Sequence, residues 1–247
     1  MGGKIIQCVC INTNALLLMS DDFDIRIYKR LEMTKFVSFD MDGTLIAQEF
    51  TDWVWGYGIP TLYAEKTGLS FEEAKVFVEG EYRKVGEGSI EWYDIKYWFH
   101  FFQLEESWKV LMKQFTDKIN VYPDVNHTLE HLKDKFQLVL TTNAGREFID
   151  VEMEATGLKR YFDRIFSATS DFGEVKKTIR FYRRICQILQ ANPNEIAHVG
   201  DHYEFDYIVP QQLGINAFYL DRTGQQRGDS ILSDLRDLEK RIQKIRD

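Results

Sequence analysis

Lys35-Phe36-Val37-Ser38-Phe39-Asp40-Met41-Asp42-Gly43-Thr44 is the stretch that decides how this chain reads. Residues 35–39 are a short, mostly apolar run that ends in an aspartate, as a buried parallel strand leading into a site does. A second carboxylate, Asp42, follows with a glycine turn behind it. Two carboxylates two residues apart repel one another unless a cation lies between them. Magnesium suits that position, because it needs few protein carboxylates, keeps several waters and binds substrate phosphate.

Outward from this stretch, similar runs recur at 137–141, 196–199 and 217–220, with a weaker candidate at 164–168 and helical stretches between them. Strands alternating with helices predict an α/β fold, a Rossmann-like parallel sheet flanked by helices. In 230–245, Ile231, Leu235, Leu238 and Ile242 recur at helical spacing, which predicts a helix packed on the sheet. Residues 49–120 differ in character, with helical periodicity and many aromatics. Ser70 and Glu73 form a capping box, Gly86 and Gly88 make a break, and Trp92 and Trp108 open further helical patterns. The division predicted is an extension at 1–32, a catalytic core at 33–48 and 121–247, and an inserted bundle of helices at 49–120.

The net charge of -8 gives no general attraction to nucleic acid or anionic lipid, so an anionic substrate needs a local cationic pocket. No apolar run is long enough to span a bilayer. Cys8, Cys10 and Cys186 form neither a disulfide framework nor a metal pattern and read as reduced thiols in cytosol. Residues 1–32 read as an upstream-start extension of uncertain role, and because 5–11 and 25–28 are β-prone, a small accessory hairpin is the structured alternative. Of the five histidines, His100, His127, His131, His198 and His202, no pair has zinc-site spacing, and only His202 sits beside a candidate site residue.

Three further elements join Asp40 and Asp42. Thr142-Asn143-Ala144-Gly145 ends a strand just before a helix, and a hydroxyl beside a helix N-terminus suits phosphate. Lys176 lies in 173–177, with Lys177 as its adjacent competitor. In the stretch from Val199 through Gly200 and Asp201 to Asp206, another strand delivers an aspartate through a glycine. Ligands bind beyond the carboxyl ends of strands in open parallel sheets, so Asp40, Thr142 and Asp201 are expected to converge.

In order and strand context, Asp40 to Thr44, Thr142, Lys176 and Gly200 to Asp206 resemble the four motifs of the haloacid dehalogenase (HAD) superfamily, over about 34–221. The insert is similar to the helical cap of its phosphoglycolate phosphatase-like branch. The resemblance implies a magnesium-dependent phosphatase with Asp40 as nucleophile and Asp42 as general acid and base. It also implies Thr142, Gly43, Thr44 and Asn143 at the phosphate, Lys176 as the neutralising clamp, Asp40, Asp42 (through its main-chain carbonyl) and Asp201 at the metal, and Asp206 just behind them. The family's lysine is commonly followed by proline, whereas Lys177 follows here. A small phosphorylated metabolite is the expected partner, with no nucleic acid or membrane and an oligomeric state left open. Trp53, Trp55, Tyr57, Trp92, Tyr93 and Trp98 are candidates to line the pocket, although aromatics at helical spacing more often form the core of such an insert. The alternatives are a sugar phosphotransferase or mutase, a phosphonate-cleaving enzyme using Lys66, Lys75 or Lys84, and a non-catalytic phosphate-binding module.

Overall fold

The computed structural model describes residues 34–246, so the extension at 1–32, with its alternative hairpin reading and two cysteines, lies outside the described residues. Its sheet has six parallel strands: β1 (Phe36–Phe39), β2 (Gln137–Thr142), β3 (Arg164–Ser167), β4 (Ile196–Gly200), β5 (Asn216–Leu220) and β6 (Ile231–Leu232), in the order β3-β2-β1-β4-β5-β6. The central strands are buried on both faces, which is why they read as apolar runs rather than as alternation. Val37, Phe39, Leu138, Leu140, Ala197 and Val199 pack with the helices Val125–Leu132 and Leu238–Arg246. Phe36, Val139 and Ile196 face the helix Ile179–Leu189 on the other side. Burying one such side chain is worth about 1.5–3 kcal/mol, so strands of four or five residues hold their place through packing.

The C-terminal helix expected over 230–245 is corrected. Ile231 and Leu232 instead pair with Tyr219 and Leu220 as β6, because the edge of β5 offers a row of backbone groups to fill. Asp234 then accepts a hydrogen bond from the Arg236 amide and opens a tight turn, and the helix begins at Leu238. Leu235, Leu238 and Ile242 are buried in the sheet's core as their spacing implies.

Between β1 and β2 lie the helices Glu49–Trp53, Ile59–Thr67, Phe71–Val85, Ile95–Phe101 and Trp108–Gln114. The Ser70 and Glu73 capping box is present, and Gly86 ends that helix at φ +75°. Asp94 and Ser107 cap the next two helices. These helices share a core of Phe50, Val54, Ile59, Val78, Ile95, Trp98, Leu111 and Met112, which Phe148 joins from the helix Arg146–Thr156. Trp98 is consumed by that core, and Trp53 packs on Tyr57 and Phe115, so these three candidates follow the core reading and hold the insert together. Among the described residues, no helix is long and apolar enough to cross a membrane.

Candidate functional site

The chain leaves β1 toward β2 and β3 on one side and returns to β4 on the other, so the strand order reverses at β1. Loops diverge at such a reversal and leave a crevice beyond the strand ends. Asp40 follows β1, Asp201 follows β4 and Thr142 ends β2. A cavity of about 430 Å³ opens there. The core contributes Asp40, Asp42, Gln48, Thr142, Asn143, Lys177 and Asp201 to its wall, and the insert contributes Thr51, Asp52, Trp55, Tyr82, Trp92 and Tyr93. Trp55 stacks on Phe148 at 5.2 Å, giving the insert side a flat aromatic surface.

Carboxylate oxygens of Asp40, Asp201 and Asp206 lie within 4.8 Å of one another. Asp206 is already committed. Its Oδ1 is paired with Lys177 and lies 3.0 Å from His198 Nε2, and its Oδ2 accepts the His202 amide at 3.1 Å. Asp40 and Asp201 therefore remain as the pair to share an ion. Thr44 donates to Asp201 Oδ1 at 3.2 Å. Gly43 sits at φ +79°, and a Cβ there would stand 2.2 Å from Asp201 Oδ2, so the turn admits glycine alone. Asp42 Oδ1 is buried without a hydrogen-bond partner. An all-oxygen donor set with surplus negative charge fits a hard divalent cation.

The electrostatics agree. Burial raises the Asp40 carboxyl well above its ordinary value; Lys177 opposes this, and the charges of Asp206 and Asp201 add to it. Burial and the Asp201 charge push Asp42 up to about 7. Burial alone would lower Lys177, but Asp206 and Asp40 outweigh it and hold the ammonium above its usual value. Asp206 is held below the usual carboxylate range, because Lys177 and His198 outweigh the effect of its burial.

The lysine expectation is corrected from Lys176 to Lys177. Lys177 is 1% exposed, and its Nζ donates to Asp40 Oδ1 at 2.5 Å and contacts Asp206. Lys176 points the other way, over the Phe205 ring and 3.9 Å from Glu87 in the insert. Neighbouring side chains in this non-helical stretch take opposite sides, so a shift of one residue exchanges a buried clamp for a rim contact.

Gly43 and Thr44 also move from their expected place. The Gly43 amide donates to the Ile46 carbonyl, Thr44 is fully buried, and neither lines the cavity; both instead shape the seat of Asp201. Thr142 and Asn143 do line it. The Thr142 oxygen accepts the Ala144 amide at 3.1 Å, which leaves the hydroxyl proton to donate elsewhere. Lys66 donates to the Phe102 carbonyl and Lys75 and Lys84 pair with Glu79 and Glu81; none of the three reaches the cavity, so the phosphonate alternative gains no support.

Sequence reasoning missed Glu152. It lies on the helix Arg146–Thr156, fully buried, with its carboxyl against that of Asp42. Neither of its oxygens has a hydrogen-bond partner. Burial and the Asp42 charge accordingly raise Glu152 well above its ordinary value. Nothing in its helical spacing marked it out. His198, one of the five histidines without zinc-site spacing, bonds Asp206.

Comparison with known proteins agrees with this geometry. A family model described as haloacid dehalogenase-like hydrolase matches residues 34–214. The chain is 29% identical over 166 residues, 67% of this chain and 73% of the relative, to the GMP/IMP nucleotidase YrfG of Escherichia coli K12. It is 31% identical over 108 residues, 43% of this chain and 46% of the relative, to (S)-2-haloacid dehalogenase 4A of Burkholderia cepacia. Among solved structures, an HAD phosphatase from Thermococcus onnurineus superposes with a TM-score of 0.71 at 27% identity, covering 84% of this chain and 97% of that one.

Proposed function

Because the chain belongs to the haloacid dehalogenase-like hydrolase family, we propose that it is a magnesium-dependent phosphatase acting on a small phosphate monoester through an aspartyl-phosphate at Asp40. Asp42 carries this choice over dehalogenation. The dehalogenases' first motif lacks a second aspartate, and here that residue faces the cavity beside the nucleophile with one oxygen unengaged.

An Asp40 oxygen attacks phosphorus, and the P–O bond to the leaving group breaks. Asp42 gives its proton to the departing alkoxide, which an acid near pH 7 does efficiently. Asp42, now a carboxylate, takes a proton from a water that attacks the aspartyl-phosphate, releasing orthophosphate and restoring Asp40. Lys177 offsets the negative charge on Asp40 throughout, and the Thr142 hydroxyl donates to a phosphoryl oxygen. Magnesium, held by Asp40, Asp201 and the Asp42 main-chain carbonyl, would supply charge neutralisation for the transferring group. The insert, as a cap, excludes bulk water and meets the leaving group. The aromatic wall that Trp55, Tyr82 and Trp92 of the insert form with Phe148 of the core favours a flat leaving group. Together with the nucleotidase named among the relatives, this makes nucleoside monophosphates the first substrates to assay.

The test is hydrolysis of an aryl phosphate and a panel of phosphorylated metabolites, with magnesium or EDTA, by the wild type and Asp40→Asn. Turnover should require the metal and vanish in the variant while its far-UV spectrum is retained. Persistent metal-dependent turnover in Asp40→Asn would remove Asp40 as nucleophile.

A further inference from the structure

Near its carboxyl-terminal end, one residue before it in β1 and β2 and two residues before it in β4, each of the three site-bearing strands breaks its apolar run with a polar side chain on the same face of the sheet. They are Ser38 in β1, Thr141 in β2 and His198 in β4, and Ser38 and His198 are paired in register. Ser38 Oγ lies 2.8 Å from Thr141 Oγ1 and 3.0 Å from His198 Nδ1. His198 Nε2 lies 3.0 Å from Asp206 Oδ1 and 3.0 Å from the Tyr182 hydroxyl, which itself donates to the Phe205 carbonyl. Tyr182 comes from the helix Ile179–Leu189, and every member of this layer is buried.

From this arrangement we infer that His198 is a positioning residue for the reaction proposed above: it fixes Asp206 and, through Asp206, sets the Lys177 ammonium against Asp40. Asp206 is an acceptor that already receives Lys177, so His198 Nε2 carries the hydrogen and donates it. Nδ1 is then bare and accepts from Ser38. Burial keeps the ring neutral, in agreement with this assignment. The histidine thus bonds groups on β1 and on the loop after β4 at once, and Ser38 extends the chain of bonds to β2. The relative heights of Asp40, Thr142 and Lys177 are set by one hydrogen-bonded layer.

Turnover should register this more than binding, because a misplacement of about 1 Å costs roughly a hundredfold. In the full-length chain with magnesium and an aryl phosphate, His198→Leu should lower kcat by about ten- to a hundredfold with KM little changed. His198→Gln, which keeps a donor toward Asp206, should recover most of the loss. In a Lys177→Met background, His198→Leu should have little further effect, since its route to the nucleophile is gone. Full turnover in folded His198→Leu, or an equal loss with and without Lys177, would overturn the inference. Should His198→Leu fail to fold, Tyr182→Phe and His198→Gln carry the same kcat comparison. Nitrogen NMR of the wild type tests the layer whether or not the enzyme turns over: a proton on Nε2 and a bare Nδ1 are expected, and the opposite tautomer refutes the bonding scheme. An inactive wild type with the expected tautomer would count against the phosphatase alone.

Discussion

Replacing Lys177 with methionine keeps most of the side chain's volume and deletes its charge. In the wild type, Nζ donates to Asp40 Oδ1 at 2.5 Å, contacts Asp206 and lies 3.4 Å from the Thr141 carbonyl, with 1% of the residue exposed. Removing one partner from such a buried group leaves charge without compensation, at a cost of about 3–5 kcal/mol of stability. Removing a preorganised charge aimed at the reacting centre lowers kcat by roughly 10²–10³-fold. Lys176 is the internal control. Its 3.9 Å contact with an exposed Glu87 is a rim ion pair worth about 0–1 kcal/mol, so Lys176→Ala should stay within about twofold of wild type in both measurements. Urea denaturation reads the stability of each variant, and steady-state hydrolysis of an aryl phosphate with saturating magnesium, well below each unfolding temperature, reads kcat. A Lys177→Met enzyme within tenfold of wild type, beside a Lys176→Ala enzyme that has lost turnover, would refute the assignment of the clamp.

Two further predictions follow from the same carboxylates. Asp42 rises from 3.8 to about 7 on folding, so the folded protein binds its proton more tightly; that stability is complete below about pH 4 and is lost as pH rises through 7. At 1.36 kcal/mol per unit the loss is on the order of 4 kcal/mol. In EDTA, Glu152→Gln should reduce the overall pH dependence, because it removes a second buried carboxyl whose proton affinity burial and the Asp42 charge raise. Urea midpoints at pH 5 and pH 8 check both statements, and a metal-free wild type that gains stability toward pH 8 contradicts them. Gly43→Ala places a methyl 2.2 Å from Asp201 Oδ2 at φ +79°, and calorimetry should find magnesium binding weakened by at least tenfold; unchanged affinity would mean that Asp201 does not hold the ion.

The catalytic frame was legible because strand ends in a parallel sheet are constrained by both burial and topology. An apolar run that stops at Asp40 or Asp201 has one place to deliver its carboxylate, and the structure brings the two together. The choice between Lys176 and Lys177 was not legible. Two adjacent lysines offer the same chemistry, and which one turns inward depends on the path between Gly173 and the N-cap Thr178, a stretch without periodicity. The division of the insert's aromatics was hidden for a related reason: Trp55 and Trp98 share a composition signal, and only the packing of Phe148 separates cavity wall from core.

Ser38, Thr141 and His198 were each visible as a polar residue inside a buried strand, and a buried polar group requires a partner. Each taken alone is satisfied by an ordinary hydrogen bond, so none points to a function. Their common face, within two residues of the strand ends on three adjacent strands, becomes meaningful once the register pairs Ser38 with His198 and brings Tyr182 across from its helix. Glu152 differs, since its partner Asp42 comes from another element and the contact itself creates the unusual proton affinity. Its cost falls on the metal-free protein, where the Asp42 and Glu152 charges repel and both groups hold their protons more tightly than usual, while Asp40 and Asp201 also repel. Binding a divalent cation removes the second repulsion, so the same charges that depress stability toward neutral pH are the source of affinity for the ion.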